Sequence, residues 1–224
     1  MSTPWSCILF DLDGTILDSA PGITESLAYM FTELGRPVPP QSELLRYVGP
    51  PILDSFRDLA GMNPRESQEA LDIYRVRYLE RGALQSTVYP GVAQLLRQVH
   101  GSPIPLSLAT SKPELPATKM LNLAGLTGYF DAITGASEDE VRSRKSDVVA
   151  EALRRLEFLG ADISAPVMVG DREHDVSGAA EHDVPTIFVT WGYGTPAESE
   201  GTIASVDTAT QLHELLLGES RIAV

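Results

Sequence analysis

Residues 7–18 of the chain read CILFDLDGTILD, an apolar run that ends abruptly in two carboxylates. Residues 8–10 predict a short buried strand, because a strand covered on both faces of a parallel sheet is apolar almost throughout. Asp11 and Asp13 follow at its carboxyl end, where open α/β sheets hold their ligands. Residues two apart in extended backbone share a face, so both carboxylates are expected to converge on one point.

A divalent cation would resolve the repulsion between these two acids. Mg²⁺ prefers one or two carboxylates together with phosphate oxygens, and Gly14 permits the sharp turn that follows Asp13. The alternative is that Asp-Leu-Asp-Gly forms only a turn, since Asp and Gly favour turns. The flanking strand and three further elements downstream favour the metal site.

Composition limits the classes of partner. The 224 residues suffice for one large domain or for a core with an insertion, and 43% hydrophobic with 21% charged residues is ordinary for a globular protein. A net charge of −14 argues against a nucleic-acid polymer as partner. We expect a cytoplasmic protein without a membrane partner, because neither a secretory leader nor an apolar stretch of spanning length is evident. Cys7, the single cysteine, is expected to be a buried hydrophobe. The sequence does not indicate the oligomeric state.

The spacing of strands predicts the architecture. Residues from 19 to about 82 predict successive helices, whereas strands and helices alternate from residue 89 onwards, with strands at 104–109, 130–134, 167–169 and 186–189. Asp11 and Thr110 lie 99 positions apart, whereas a βαβ unit takes roughly 30 residues. We therefore predict an α/β fold with a Rossmann-like parallel sheet, formed by residues 1–17 and 86–224, and an inserted helical domain at 18–85.

Polar side chains follow two other predicted strands and begin one predicted helix. Thr110 and Ser111 can donate hydrogen bonds to phosphate oxygens at the end of the second strand. Lys145 begins a helix, where the macrodipole disfavours a cation, and this local violation indicates a function. Asp171 ends another buried strand, and Asp175 follows it by four positions.

These motifs resemble those of the haloacid dehalogenase superfamily of phosphotransferases, in the expected order along the chain. The resemblance implies that Asp11 is the nucleophile, which forms an aspartyl-phosphate, and that Asp13 is the general acid/base. It implies Mg²⁺ held by Asp11, the backbone carbonyl of Asp13, and Asp171, with Asp175 supporting that shell.

The resemblance also implies roles around the phosphate. Thr110 matches the second motif, and Lys145 the third, where it neutralises phosphate and nucleophile. The usual Lys-Pro pair is Lys145-Ser146 here, so Lys112 competes for that role. The helical segment resembles a cap inserted between the first two motifs, lying over the carboxyl ends of the strands, where it excludes water and reads the substrate.

The expected activity is phosphomonoester hydrolysis of a small phosphorylated metabolite. Asp13 argues against dehalogenation, since the dehalogenases of this fold lack the second Asp. The cap has no lysine for the Schiff base of a phosphonatase. A phosphosugar mutase of the β-phosphoglucomutase type and a catalytically silent phosphate-binding relative are the alternatives.

Two phosphatase branches compete for the substrate. The overall layout resembles phosphoglycolate phosphatase, whereas Tyr47-Val-Gly-Pro-Pro51, Arg142-Ser-Arg-Lys145 and Gly170-Asp-Arg-Glu-His-Asp175 resemble the bacterial 5′-nucleotidase branch. The Gly49-Pro50-Pro51 stretch is either a rigid cap loop facing the site or a helix start. Trp191-Gly-Tyr-Gly194 either stacks on a base or shapes a turn after the last strand.

Overall fold

The computed structural model describes residues 4–139 and 141–218. Its strands are β1 Cys7–Phe10, β2 Leu17–Asp18, β3 Thr87–Val88, β4 Leu106–Pro113, β5 Ala132–Ala136, β6 Pro166–Gly170, β7 Thr186–Val189 and β8 Ala204–Val206. Its α-helices are α1 Ala20–Glu33, α2 Gln41–Leu44, α3 Ile52–Asp58, α4 Pro64–Glu80, α5 Val92–His100, α6 Glu114–Leu123, α7 Lys145–Phe158, α8 Glu173–Ala180 and α9 Ala209–Leu217.

The main sheet is parallel and, within the described ranges, has the strand order β5-β4-β1-β6-β7-β8. The strand β1 is central and buried throughout: it pairs with β4 through Ile8–Leu106 and with β6 through Ile8–Val167. The chain builds outward from β1 through β4 and β5 on one side, then returns to β6 on the other. The carboxyl end of β1 therefore lies at the switch point of the sheet, where ligands of such folds bind. The predicted α/β sheet fold is confirmed.

A helical segment, comprising α1 to α4, lies between β2 and β3. The β2–β3 ladder is antiparallel and pairs Leu17 with Val88, so it brings the two ends of this segment together. A capping box begins α4: Asn63 accepts from the Glu66 amide, and Glu66 accepts from the Asn63 amide. Inside the segment, the rings of Tyr47, Phe56 and Tyr74 contact in series at 6.3 and 6.4 Å between centroids.

Three features differ from the sequence prediction. The strand β4 continues to Pro113 rather than ending at Ala109, because its pairing with β5 shifts register after Ala109 and resumes at Pro113. The predicted strand at 130–134 begins and ends two residues later. β8 and the β2–β3 ladder were not predicted, because segments of two or three residues carry too little periodicity. None of the helices in the described residues is long and apolar enough to span a membrane.

Candidate active site

The turn after β1 places Asp11 and Asp13 at the carboxyl end of the sheet, and both are buried. Gly14 has φ +91°, a conformation that L side chains rarely adopt, so the turn requires glycine. A Cβ on Gly14 would also lie 2.2 Å from Oδ2 of Asp171. The glycine predicted for the turn thus has a second function, because it lets the Asp171 carboxylate approach the β1 turn.

The Lys145 side chain connects the turn after β1, the strand β4 and the helix α8 at this end of the sheet. Its Nζ lies 2.7 Å from Oδ1 of Asp11, 2.7 Å from Oδ1 of Asp175, and 3.0 Å from the Ala109 carbonyl. Burial by itself lowers the pKa of Lys145, but the carboxylates of Asp11 and Asp175 outweigh it and raise the pKa. Lys145 is therefore a fixed cation in contact with Asp11, the predicted nucleophile.

The carboxylates of Asp11, Asp171 and Asp175 form a buried acidic cluster, with one oxygen of each within 4.8 Å of the others. Burial raises the pKa of Asp11 to about 6, against the attraction of Lys145. Burial, with repulsion from Asp175 and Asp11, also raises the pKa of Asp171 well above its usual range. Such a cluster binds protons or a cation far more readily than separated acids do.

The two later acids of this cluster are held differently. Asp171 accepts from the Thr15 hydroxyl at 3.0 Å and from the Tyr193 amide at 2.8 Å. Asp175 accepts at Oδ2 from the amides of Asp171 and Arg172, both at 3.0 Å, while its Oδ1 faces Lys145. Both oxygens of Asp175 are therefore engaged by the protein, which suits a supporting residue better than a metal ligand.

The expected convergence of the Asp11 and Asp13 carboxylates is not observed, because Ser19 and Lys112 hold the Asp13 carboxylate toward the helical segment and away from the acidic cluster. Oδ1 of Asp13 accepts from the Ser19 hydroxyl, and its Oδ2 lies 2.9 Å from Nζ of Lys112. Lys112 also lies over the Tyr78 ring, 4.5 Å from the centroid. Lys112 thus contacts the other carboxylate of the turn, whereas Lys145 contacts Asp11. The two lysines considered for the same role therefore have different carboxylate partners.

The predicted phosphate-binding hydroxyls lie on β4 beside these acids. Thr110 is buried and its hydroxyl accepts weakly from the Lys112 amide at 3.3 Å. The Ser111 hydroxyl is buried and has no hydrogen-bond partner among the described residues. Ser111 lines the same cavity as Asp13, so its hydroxyl is free to bind a ligand oxygen there.

The loop between β7 and β8 contacts the residues that follow β1. Trp191 donates from Nε1 to the Thr15 carbonyl at 3.1 Å, and the Tyr193 hydroxyl donates to Asp18 at 2.8 Å. The same hydroxyl accepts from the amides of Ser19 and Ala20. The loop therefore shapes a turn around the strand ends that carry Asp11 and Asp171, although it precedes β8 rather than following the last strand. Sequence reasoning missed the contribution of Ser19 and Tyr193, whose only signal was closeness to the motifs.

Arg172 connects the sheet to the helical segment. Its guanidinium donates to the Val48 carbonyl and, from Nε at 2.8 Å, to the carboxylate of Glu198. Gly49 and Pro50 then line a cavity between segment and sheet, while Pro51 precedes the first residue of α3. The Gly49-Pro50-Pro51 stretch is thus both a loop at the cavity and a helix start.

Known proteins resemble this chain over most of its length. The family model for haloacid dehalogenase-like hydrolases matches residues 8–189. The chain is 39% identical over 209 residues to the tyrosine-protein kinase PtkA of Mycobacterium tuberculosis, covering 93% of this chain and 70% of that protein. It is 35% identical over 191 residues to a 5′-nucleotidase of Pseudomonas aeruginosa, with 85% of each chain covered.

Two further likenesses extend over nearly the whole chain. A plasmid phosphoglycolate phosphatase of Cupriavidus necator is 30% identical over 223 residues, covering 96% of this chain and 95% of the relative. The crystal structure of a predicted phosphatase from Clostridium acetobutylicum superposes with a TM-score of 0.90 at 36% identity, covering 97% of this chain and 100% of that one.

Proposed function

The chain belongs to the haloacid dehalogenase-like hydrolase family and is a phosphatase, and on this basis we propose that it hydrolyses a small phosphorylated metabolite through a phosphorylated Asp11. The family resemblance predicted from the sequence is confirmed. The observation that carries the proposed mechanism is the position of Asp11, which is buried, 2.7 Å from Lys145 and beside Asp171.

The acidic cluster fits a divalent cation. Three carboxylates converge in a buried place that holds one ammonium, and hard oxygen ligands are those that Mg²⁺ prefers. We propose that Asp11, the backbone carbonyl of Asp13, and Asp171 would hold Mg²⁺, with Asp175 positioning Lys145. When bound, Mg²⁺ supplies positive charge that neutralises and orients the transferring phosphoryl group.

The first half of the reaction forms a bond to Asp11. Since Lys145 holds Oδ1, we assign the attack on phosphorus to Oδ2. The P–O bond to the leaving group breaks as the Asp11–phosphorus bond forms, and Asp13 gives its proton to the departing oxygen. Thr110, Ser111 and Lys145 would hold the remaining phosphate oxygens by hydrogen bonds and charge.

The second half returns Asp11 to its free form. Water attacks phosphorus, Asp13 takes the proton of that water, and the Asp11–phosphorus bond breaks to release inorganic phosphate. The contacts of Asp13 with Ser19 and Lys112 aim its carboxylate away from the acidic cluster and toward the cavity, where leaving group and water would lie.

Residues 18–85 would act as a cap over this site. Arg172 ties the cap segment to the sheet, and the cavity between them is the place for the leaving group. The relatives named 5′-nucleotidase and phosphoglycolate phosphatase support a nucleoside 5′-monophosphate or 2-phosphoglycolate as the substrate.

The test is phosphate release with 2-phosphoglycolate and a set of nucleoside 5′-monophosphates, with and without Mg²⁺, and with Asp11→Asn as the blank. Acid-quenched protein is examined by intact mass spectrometry for one added phosphoryl group on the wild type. Mg²⁺-dependent release with a phosphorylated wild-type intermediate supports the proposal. Release that persists in Asp11→Asn would overturn it.

A second candidate is phosphoryl transfer to a hydroxyl other than water. The relative named tyrosine-protein kinase favours it, since a tyrosine hydroxyl is the acceptor that its name implies, and a phosphosugar mutase would also use a hydroxyl acceptor. The same phosphorylated Asp11 would serve, with Asp13 taking the proton of the acceptor. Adding a hydroxyl acceptor and measuring phosphorylated acceptor against free phosphate separates transfer from hydrolysis.

A further inference from the structure

A cavity of about 380 Å³ lies between the cap segment and the sheet. One end is polar and is formed by Asp13, Ser111 and Lys112, the groups beside the proposed phosphate position. Most of the remaining wall is apolar and comes from α1, α3, α4 and the loop before α3: Ile23, Tyr47, Ile52, Leu71, Tyr74 and Tyr78. We call this the cap cavity.

The three tyrosine rings give the cap cavity a neutral wall. Tyr74 and Tyr78 stack on each other with centroids 5.6 Å apart and planes 15° from parallel. Burial raises the pKa of the Tyr74 and Tyr78 hydroxyls, so both stay uncharged at neutral pH. A wall of this kind stabilises apolar or aromatic surface that is withdrawn from water.

The charged residues of the lining offer little to a second anion. They are two acids and two bases, Asp13, Glu138, Arg75 and Lys112, so their charges cancel. Lys112 is already 2.9 Å from the Asp13 carboxylate, and Arg75 donates to the Glu138 carbonyl. A carboxylate on the leaving group would therefore lose its hydration on entering the cavity. Both bases of the lining already have a protein partner, so neither would fully compensate for that loss.

The volume also exceeds what a short leaving group needs. At roughly 30 Å³ for each water in the liquid, the cap cavity has room for about a dozen waters. With a leaving group of two carbons, most of the apolar wall would stay in contact with water. A ring would cover that wall and displace the water from it.

We infer that the cap cavity selects phosphomonoesters whose leaving group carries an uncharged ring, an aryl group or a nucleobase, over esters with short or carboxylate-bearing leaving groups. The inference rests on the proposed function, because it takes the phosphate position from Asp11 and Lys145. Within that function, it assigns the binding of the leaving group to Tyr47, Ile52 and Leu71.

The experiment compares kcat/KM for four esters with Mg²⁺ and an Asp11→Asn blank. Benzyl phosphate and ethyl phosphate form one pair, whose leaving alkoxides are similarly basic. A nucleoside 5′-monophosphate and 2-phosphoglycolate form the other. We expect the ring-bearing member to exceed its partner by about tenfold or more, since small differences in apolar contact give about 10–200-fold discrimination. An advantage in both pairs indicates any ring, and an advantage in the nucleotide pair alone indicates a nucleobase.

A matched pair of variants locates the effect. Ile52→Trp fills the cap cavity, whereas Leu53→Trp adds the same side chain at the next position of α3, which does not line the cavity. The ratio of kcat/KM between ring and short ester should fall about tenfold or more in Ile52→Trp and stay within about twofold of wild type in Leu53→Trp. If Ile52→Trp does not fold, as judged by circular dichroism, inhibition of the wild type by benzyl alcohol against ethanol replaces it, and only benzyl alcohol should compete.

Each outcome is decisive. Phosphate release that favours neither ring-bearing ester overturns the inference and leaves the proposed function standing. A ring preference that survives in Ile52→Trp as in Leu53→Trp, or equal inhibition by the two alcohols, also overturns it. Failure of Mg²⁺-dependent release with every ester overturns the proposed function and the inference together.

Discussion

The Lys145 ammonium lies 2.7 Å from Oδ1 of Asp11, although 134 positions separate the two residues. Asp175 lies at the same distance from the ammonium, so one buried cation faces two buried carboxylates. This arrangement explains why a lysine begins α7, where the helix dipole disfavours it. The attraction of two anions exceeds the unfavourable interaction with the helix end, so a lysine is stable at this position.

Asp11→Asn should abolish turnover and leave the fold intact. Asparagine keeps the size of the side chain but cannot attack phosphorus as a carboxylate does. We expect the rate of phosphate release to fall by about 10³-fold or more, with a circular dichroism spectrum like that of the wild type.

The matched control is Asp72→Asn, the same change at an exposed position of α4, where Asp72 contacts Gln68. It should release phosphate at the wild-type rate. Turnover that persists in folded Asp11→Asn would remove the nucleophile assignment.

Lys145→Ala should cost far more activity than Lys112→Ala. Removing Lys145 leaves Asp11 and Asp175 buried without their cation and takes away a charge beside the transferring phosphoryl group. We expect kcat to fall by about 10²–10³-fold or more. Lys112 acts through Asp13, so we expect a loss of about tenfold in Lys112→Ala.

Lys119→Ala serves as the control for loss of a lysine, because Lys119 is exposed and contacts the Leu79 carbonyl. Its kinetics should match those of the wild type. The reverse order, with Lys112→Ala more damaging than Lys145→Ala, would transfer the phosphate-neutralising role to Lys112.

The sequence predicted those parts of the fold that have a repeating pattern of elements or a strong local signal. The apolar run at 8–10, the helix that begins at Lys145 and the acid after β6 each have a physical meaning within a few residues, and the structure contains all three elements. The α/β class then followed from the order of the elements.

Other features depended on contacts that no local pattern encodes. Tyr193 reaches Asp171 only once the loop after β7 folds over the β1 turn, and Ser19 reaches Asp13 because the chain between them turns back on itself. The pairing of Lys112 with Asp13 likewise arises because β4 continues past Ala109, which brings Lys112 to the turn after β1. Tertiary geometry decides such contacts. A single sequence gives the type of each residue but not which residue it contacts.

Mg²⁺ should stabilise the protein more strongly as pH rises. Burial raises the pKa of Asp11 from 3.8 to about 6, so the metal-free folded state binds more protons than the unfolded state between those values. Its stability therefore falls as pH rises through that window, and the raised pKa of Asp171 extends the fall above it. Mg²⁺ competes with these protons, so its contribution grows as they leave.

The measurement is the shift in Tm on adding Mg²⁺ to EDTA-treated protein at several pH values on both sides of 6. Asp171→Asn should flatten the dependence on pH, because one of the shifted acids is gone. A Tm shift that is independent of pH, or largest in acid, would contradict the cation site at the acidic cluster.

Ser111→Ala should weaken phosphate binding without destabilising the protein. The Ser111 hydroxyl is buried and unpaired among the described residues, so its removal takes away no hydrogen bond within the fold. Replacing such a hydroxyl is neutral or stabilising by about 1 kcal/mol or less. If the hydroxyl binds a phosphate oxygen, KM and the inhibition constant of inorganic phosphate should each rise by about tenfold.

Thr134→Val provides the comparison, since the Thr134 hydroxyl on β5 is likewise buried and unpaired but does not line the cap cavity. Valine keeps its shape, so thermal unfolding should respond as in Ser111→Ala, while KM and phosphate inhibition stay at wild-type values. The two variants separate a hydroxyl kept for a ligand from one that is merely tolerated in a strand. Loss of stability in Ser111→Ala with unchanged phosphate inhibition would mean that Ser111 serves the fold and not the phosphate.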